Sequence, residues 1–257
     1  GYWRFFSGQC NEGDTLYDGH RYVCTNQKWR KWTKTEEELD KTCTSLNTDS
    51  ISNDRLYICK SEGWRLLTKT DFYPPGVNFS NFSKIDFEGK SYRIAVINGK
   101  TWMAENLNTS EDGTCYQGKE EYCEIYGKLY TWREALKLPD TAKIDTSRFI
   151  QGVCPDGWHL PNNNEWMALK TAATSSSDKA GASLKSFYGW DVYGEEVKEN
   201  KDNKGFTLLP AGYFYENYQD VGYAALLMVV DSSKNFIYFT ADNDDVATFT
   251  PSDGEEG

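Results

Sequence analysis

Cys154-Pro155-Asp156-Gly157-Trp158-His159-Leu160-Pro161-Asn162-Asn163-Asn164-Glu165-Trp166 first turns and then starts a helix. Pro155 and Gly157 break regular structure. Asn162-x-x-Glu165 then has the form of a capping box, with Asn in place of Ser or Thr. Trp166, Leu169 and Ala172-Ala173 follow on one apolar helical face. Working outward, Thr131 is an N-cap for Trp132-Arg133-Glu134-Ala135-Leu136, and Gly181 to Phe187 reads as a third short helix. Upstream, Lys84-Ile85-Asp86-Phe87 and Tyr92-Arg93-Ile94-Ala95-Val96-Ile97 alternate as strands. Asn98-Gly99 supplies a hairpin turn that returns through Lys100-Thr101-Trp102-Met103. Downstream, Phe206 to Phe249 is aromatic, β-prone and turn-rich. Helices precede a late meander, which predicts an α+β domain with two or three short helices and a mainly antiparallel sheet.

The N-terminal part is a different object. Residues 1–70 carry 11 Lys/Arg and 10 Asp/Glu, whereas the remainder carries 17 and 29. Tyr22-Val23-Cys24-x4-Trp29-Arg30-x2-Thr33-Lys34-Thr35 returns 35 residues later as Tyr57-Ile58-Cys59-x4-Trp64-Arg65-x2-Thr68-Lys69-Thr70, with seven identical positions. Each copy reads as a small hairpin, so 1–73 is a set of short Cys/Trp repeats. Gly1-Tyr2-Trp3-Arg4 looks like the tail of a preceding copy, which predicts a fragment of a longer chain whose targeting signal lies upstream. Four of the seven cysteines fall here, in no zinc-ligand pattern, and so few residues build a core only with staples. Cys10–Cys24 and Cys43–Cys59 would each close a loop of about 15 residues, contributing roughly 3 kcal/mol in the chain-entropy model. Disulfides imply a compartment outside the cytosol. Phe72-Tyr73-Pro74-Pro75-Gly76 marks the boundary, with 74–83 a linker, 84–250 the larger domain and 251–257 an acidic tail.

Composition excludes several classes. A net charge of −11 and a pI near 4.8 disfavour nucleic acid, whose phosphates need a basic face. No apolar run approaches the ~18 residues of a membrane span. Two histidines, His20 and His159, leave little for zinc or general acid–base chemistry.

Several motifs recur in a recognisable order: Tyr92-Arg93, Thr101-Trp102-Met103-Ala104-Glu105-Asn106-Leu107-Asn108, Cys123-x2-Tyr126-Gly127-Lys128-Leu129-Tyr130-Thr131-Trp132, Cys154-Pro155-Asp156-Gly157-Trp158-His159-Leu160-Pro161 and Leu209-Pro210-Ala211-Gly212-Tyr213. Over about 84–250 this resembles the Fibrobacter succinogenes major paralogous domain, found on secreted and surface proteins of fibre-associated and gut bacteria. The Gly-Trp-His-Leu-Pro-x3-Glu-Trp stretch is also similar to a segment of formylglycine-generating-enzyme-like domains. The resemblance implies a C-type-lectin-like fold and a bacterial cell-surface or secreted location. Relatives close with a strand ending in a cysteine, the partner of Cys154; that cysteine is absent here. The resemblance therefore implies a free thiol at Cys154, with Cys115–Cys123 paired across a short loop. The formylglycine-generating enzymes use a cysteine pair near their C-terminus, and no such pair exists here.

The site chemistry points to binding. Cys154 with His159 is the best nucleophile–base candidate, but both lie on one turn and the imidazole reads as a structural histidine bonded to backbone. No carboxylate pair is marked by context: Glu165 caps its helix and Glu105 belongs to the Asn-Leu-Asn turn. Asp242-Asn243-Asp244-Asp245 packs oxygens into a turn, so Asp242, Asp244 and Asp245 are candidate calcium ligands, although EF-hand spacing is missing and a solvated acidic turn is the favoured reading. No other cofactor is expected. The rings Trp190, Tyr193, Tyr213, Tyr215, Tyr218 and Tyr223 are the candidate ligand-binding residues, since exposed aromatics suit sugar faces and protein partners alike. The expected function is a non-catalytic surface or secreted module for adhesion to plant-fibre polysaccharide or a protein partner. The alternatives are a structural component of a surface assembly and, behind it, a divergent hydrolase or formylglycine-generating-enzyme-like enzyme.

Overall fold

Tyr22 and Val23 alternate with polar neighbours around a turn at Asn26-Gln27, both at positive φ, and the chain folds back on itself there. In the computed structural model, β1 (Thr15–Tyr17), β2 (Arg21–Thr25) and β3 (Lys28–Lys31) form an antiparallel three-stranded sheet. Residues 10–250 are described, apart from 18, 45–48, 53–54, 61–62, 75, 140–143, 146 and 191–199. After α1 (Lys34–Leu39), β4 (Asp49–Ser52), β5 (Arg55–Lys60) and β6 (Gly63–Leu66) form a second such sheet. The pairs Cys24↔Trp29 and Val23↔Arg30 in the first recur as Cys59↔Trp64 and Ile58↔Arg65 in the second, the same register at an offset of 35 residues. Each sheet has a strand more than the hairpin expected. Disulfides join Cys10 to Cys24 and Cys43 to Cys59.

The helix α1 is an addition to the sequence reading. Thr33 caps it and Glu36 reaches back to the Thr33 amide in a complete capping box. Glu36 is fully buried, with Arg30 donating to both its oxygens at 2.6 and 2.7 Å and the Cys43 amide donating at 2.9 Å. Burial opposes its charge, but Arg30 and the two amides outweigh burial and hold the carboxyl below its ordinary range. One side chain thus ties β3 to the second disulfide.

The first compact unit ends at Thr68 and the second begins at Lys69. The Pro-Pro-Gly run and residues 74–83 fall within the second unit. Phe72 is fully buried against Tyr126, at 5.7 Å between ring centroids. Tyr73, Phe79 and Phe82 cluster edge to face and tilted, with the Arg93 guanidinium over the Tyr73 and Phe82 rings. Apolar rings spaced along a segment bury themselves whatever prolines lie between.

The second unit has both helices and mainly antiparallel sheet. β7 (Lys84–Phe87), β8 (Lys90–Ile97) and β9 (Lys100–Met103) make a meander, with Asn98 and Gly99 at positive φ in the turn. Four helices follow: α2 (Glu120–Tyr126), α3 (Trp132–Leu136), α4 (Asn163–Ala173) and α5 (Ala180–Leu184). Thr131–Glu134 and Asn162–Glu165 form capping boxes at α3 and α4. The α2 helix was not read from the sequence; its Cys123 is joined to Cys115. The helix expected to reach Phe187 stops at Leu184, because the Ser186 amide donates to Leu208 and Leu208 donates to Leu184, making a parallel bridge instead of another turn.

The late meander is a sheet in the order β11-β10-β12-β13-β14, from β10 (Ala211–Tyr215), β11 (Asn217–Val221), β12 (Ala224–Met228), β13 (Phe236–Thr240) and β14 (Ala247–Phe249). All its pairs are antiparallel except β10 with β12. Gly212 sits at φ +68, where a Cβ would lie 2.4 Å from the Gln219 carbonyl, so that position of β10 requires glycine. Trp166 and Leu169 of α4 pack with Leu184, Trp190, Phe206, Val229, Ile237 and Phe239 into the main core. No described helix is long and apolar enough to cross a membrane.

Candidate functional site

The residues just before α4 do the most local work. Glu165, in the first turn, accepts from the Asn162 amide, from His159 Nε2 at 3.0 Å to both oxygens, and from Lys100 Nζ at 3.0 Å. Burial pushes its carboxyl up, but His159, Lys100 and Asn162 together hold it below the ordinary range. His159 stacks on Phe149 at 4.2 Å and bonds a carboxylate, not the backbone expected for it. Trp166 donates from Nε1 to the Met228 carbonyl and lies 5.2 Å from Trp102 on β9.

These groups border a cavity of about 950 Å³ within the second unit. Its wall is assembled from β9 and the loop after it, the turn before α3, the Val153–Pro161 loop, the start of α4, Phe206–Leu209, the β10–β11 hairpin, β12 and Phe236. Trp102, Trp158, Tyr213, Phe214 and Tyr218 supply aromatic surface. Tyr218 packs against Tyr116 and, edge to face, against Phe214, its register partner across the hairpin.

Three carboxylates line the cavity and each is engaged. Glu134 closes the α3 capping box, Glu165 is held as above, and Glu105 pairs with Lys69 at 2.7 Å and accepts from the Arg93 amide. Cys154 also lines the cavity as a free, buried thiol, and burial pushes its pKa up to about 12. A thiol held protonated by burial is a poor nucleophile.

A family model described as the Fibrobacter succinogenes major domain matches residues 96–230, just over half of the chain. The chain belongs to this family. No curated protein and no solved structure matches it. The Fibrobacter major domain match begins within β8 and ends just past β12, so it contains every cavity-lining residue except Phe236.

The family's cavity takes in only part of the aromatic set read from the sequence. Tyr213 and Tyr218 line it. Tyr215 is 39% exposed at the hairpin tip, outside the cavity lining. Tyr223 packs against the main core, and burial and the neighbouring Asp242 carboxylate push its hydroxyl up to about 12. Trp190 is a correction: it is fully buried, donating to Ser186 Oγ at 3.0 Å and the Leu208 carbonyl at 3.2 Å, and offers no ring to a ligand. Tyr193 lies outside the described residues.

The acids of the Asp242–Asp245 turn are engaged within the fold. Asp245 pairs with Lys179 at 2.8 Å and Asp244 with Lys185 at 3.1 Å, while Asp242 is hydrogen-bonded to Thr240 and Tyr223. Lys185 Nζ, fully buried, also donates to the Thr240 and Asn243 carbonyls. Among the described residues only Cys115, Glu120 and Cys123 bring three ligand atoms together, and both sulfurs are spent in a disulfide.

The sequence reading missed the cavity itself, along with Lys100, Trp102 and Lys128. The usable signal was the Asn98-Gly99 turn, which aims β9 at the start of α4.

Proposed function

We propose that this chain is a non-catalytic, extracellular adhesion module that binds plant-fibre polysaccharide in the cavity of its second unit. The observation that carries the reading is a cavity of about 950 Å³ walled by nine aromatic side chains, Trp102, Trp158, Tyr213, Phe214 and Tyr218 among them, with all three of its carboxylates engaged. Flat rings stack on sugar faces, and a pocket of this size takes a few sugar units. Glycoside cleavage would need two carboxyl groups free to act as acid and base across a substrate, so the engaged carboxylates favour binding over hydrolysis. A C-type-lectin-like architecture fits two helices, α4 and α5, packed with a late, mainly antiparallel sheet, and loops that border a cavity. Three disulfides fit an oxidising compartment. The first unit, with two sheets of one register, serves as a stapled spacer.

Pull-down on insoluble cellulose and xylan tests the reading. Tyr213→Ala/Tyr218→Ala should abolish retention, and Tyr215→Ala, outside the cavity, should leave it intact. Absence of retention on every fibre would sink the polysaccharide reading and turn the search to surface proteins.

A further inference from the structure

Lys128 differs from every other charged side chain lining the cavity. Glu105, Glu134 and Glu165 are engaged, and Lys100 is paired with Glu165. Lys128 also lines the cavity, and among the described residues its Nζ donates only to the carbonyl of Asp112, at 3.2 Å. Its backbone is fixed: the Lys128 amide donates to Leu107 at 2.8 Å, and Gly127 before it packs so closely on Asn106 that a Cβ would fall 2.6 Å from the Asn106 side chain. A partly buried lysine whose ammonium has one neutral acceptor among the described residues has two donor positions left, and a carboxylate is the partner that satisfies it best. Aromatic rings share the same cavity.

We infer that the cavity selects sugars that carry a carboxylate, with Lys128 receiving the carboxylate while the rings take the sugar faces. The inference rests on the polysaccharide reading above and adds the charge of the ligand to it. The chain's net charge of −11 repels a polyanion at large, so retention of an acidic glycan reports a local site and not general adsorption.

The test is isothermal titration of the full chain with oligogalacturonate and with neutral xylo- and cello-oligosaccharides of matched length. The expected result is about tenfold tighter binding of the acidic oligomer, the worth of one charge-assisted hydrogen bond. Lys128→Met should erase that preference and Lys128→Arg should keep most of it. The side chain is partly buried and makes a single bond to a described residue, so neither variant should alter melting by much. Equal affinity for acidic and neutral oligomers, or a preference that survives Lys128→Met, overturns the inference and leaves the cavity a neutral-glycan site. Failure of every oligosaccharide to bind overturns both this inference and the reading it rests on.

Discussion

Replacing Lys185 with methionine probes the least expected interaction in the second unit. Lys185 is fully buried, and its Nζ donates to the Thr240 carbonyl at 2.9 Å and the Asn243 carbonyl at 3.1 Å, pairs with Asp244 at 3.1 Å and lies 5.2 Å from the Trp190 ring centre. Methionine keeps most of the volume, so the packing loss is small. The polar loss is not. Two carbonyls lose a donor at about 1 kcal/mol or more each, and breaking a buried ion pair costs about 3–5 kcal/mol. The Asp244 side chain is 21% exposed and regains water once freed, which places the total at the low end, about 3 kcal/mol. Urea unfolding of the full chain should show the transition of the second unit moving to lower denaturant with an unchanged slope. The melting temperature should fall by roughly 6–12 °C, at about 2–4 °C per kcal/mol for a unit of this size. A variant within about 1 kcal/mol of the parent would refute the idea that the buried ammonium organises the Thr240–Asp245 turn. The same account requires that millimolar calcium leave the parent's melting temperature unchanged, since binding to the native state would raise it.

Asp202 carries an opposite pH signature to the other perturbed acids. Burial pushes its carboxyl up to about 6, against lesser opposing hydrogen bonds from Thr207, so the native state takes up a proton between pH 6 and 4 that the unfolded chain does not. Stability should therefore rise by up to about 3 kcal/mol as pH falls through that window. It should drop again below about 4.5, where Glu36 and Glu165, held low in the native state, must be protonated. Urea midpoints across pH 3–8 check this, and Asp202→Asn should flatten the upper limb only. Gly212→Ala should cost about 2 kcal/mol or more, because the position is at φ +68 and the new Cβ meets the Gln219 carbonyl; parental stability would count against the requirement for glycine there. Reductant should lower the melting of the first unit, whose two disulfides each contribute about 3 kcal/mol, and an unchanged melt would refute the stapling. Cys154, with its thiol pushed up to about 12, should resist alkylation at pH 8 in the native protein and react once on unfolding, as mass spectrometry would show.

Local chemistry made much of the fold legible. Asn162 with Glu165 and Thr131 with Glu134 each span a single turn, and both capping boxes form at the ends of the helices they announce. Asn98-Gly99 needs only its two residues at positive φ to turn β8 into β9. Thr33 with Glu36 carried the same signal for α1, hidden because Thr33-Lys34-Thr35 was read as repeat and not as cap. Where partners are distant the reading failed. The α2 helix has no side-chain cap and is tied by Cys115–Cys123. Trp190 follows a glycine and looked like a loop ring, yet Ser186 and Leu208 bury it.

The cavity lay beyond reach for the same reason, since its wall draws on segments from Lys100 to Phe236 that meet only through the sheet and α4. Counting acids along the sequence was uninformative because a carboxylate's availability depends on its partners and not on its number. Glu134 and Glu165 are consumed by the helix starts that were legible, and Glu105 by a lysine 36 residues away. The groups that shape the cavity are therefore removed from its chemistry by the act of shaping it. What is left to meet a ligand is the remainder: the rings, which need no partner to be useful, and Lys128, whose one neutral acceptor leaves its charge unanswered. A site built this way suits the recognition of surface and charge that we propose for it. On the proposed reading, mutation of its rings and of Lys128 should change affinity.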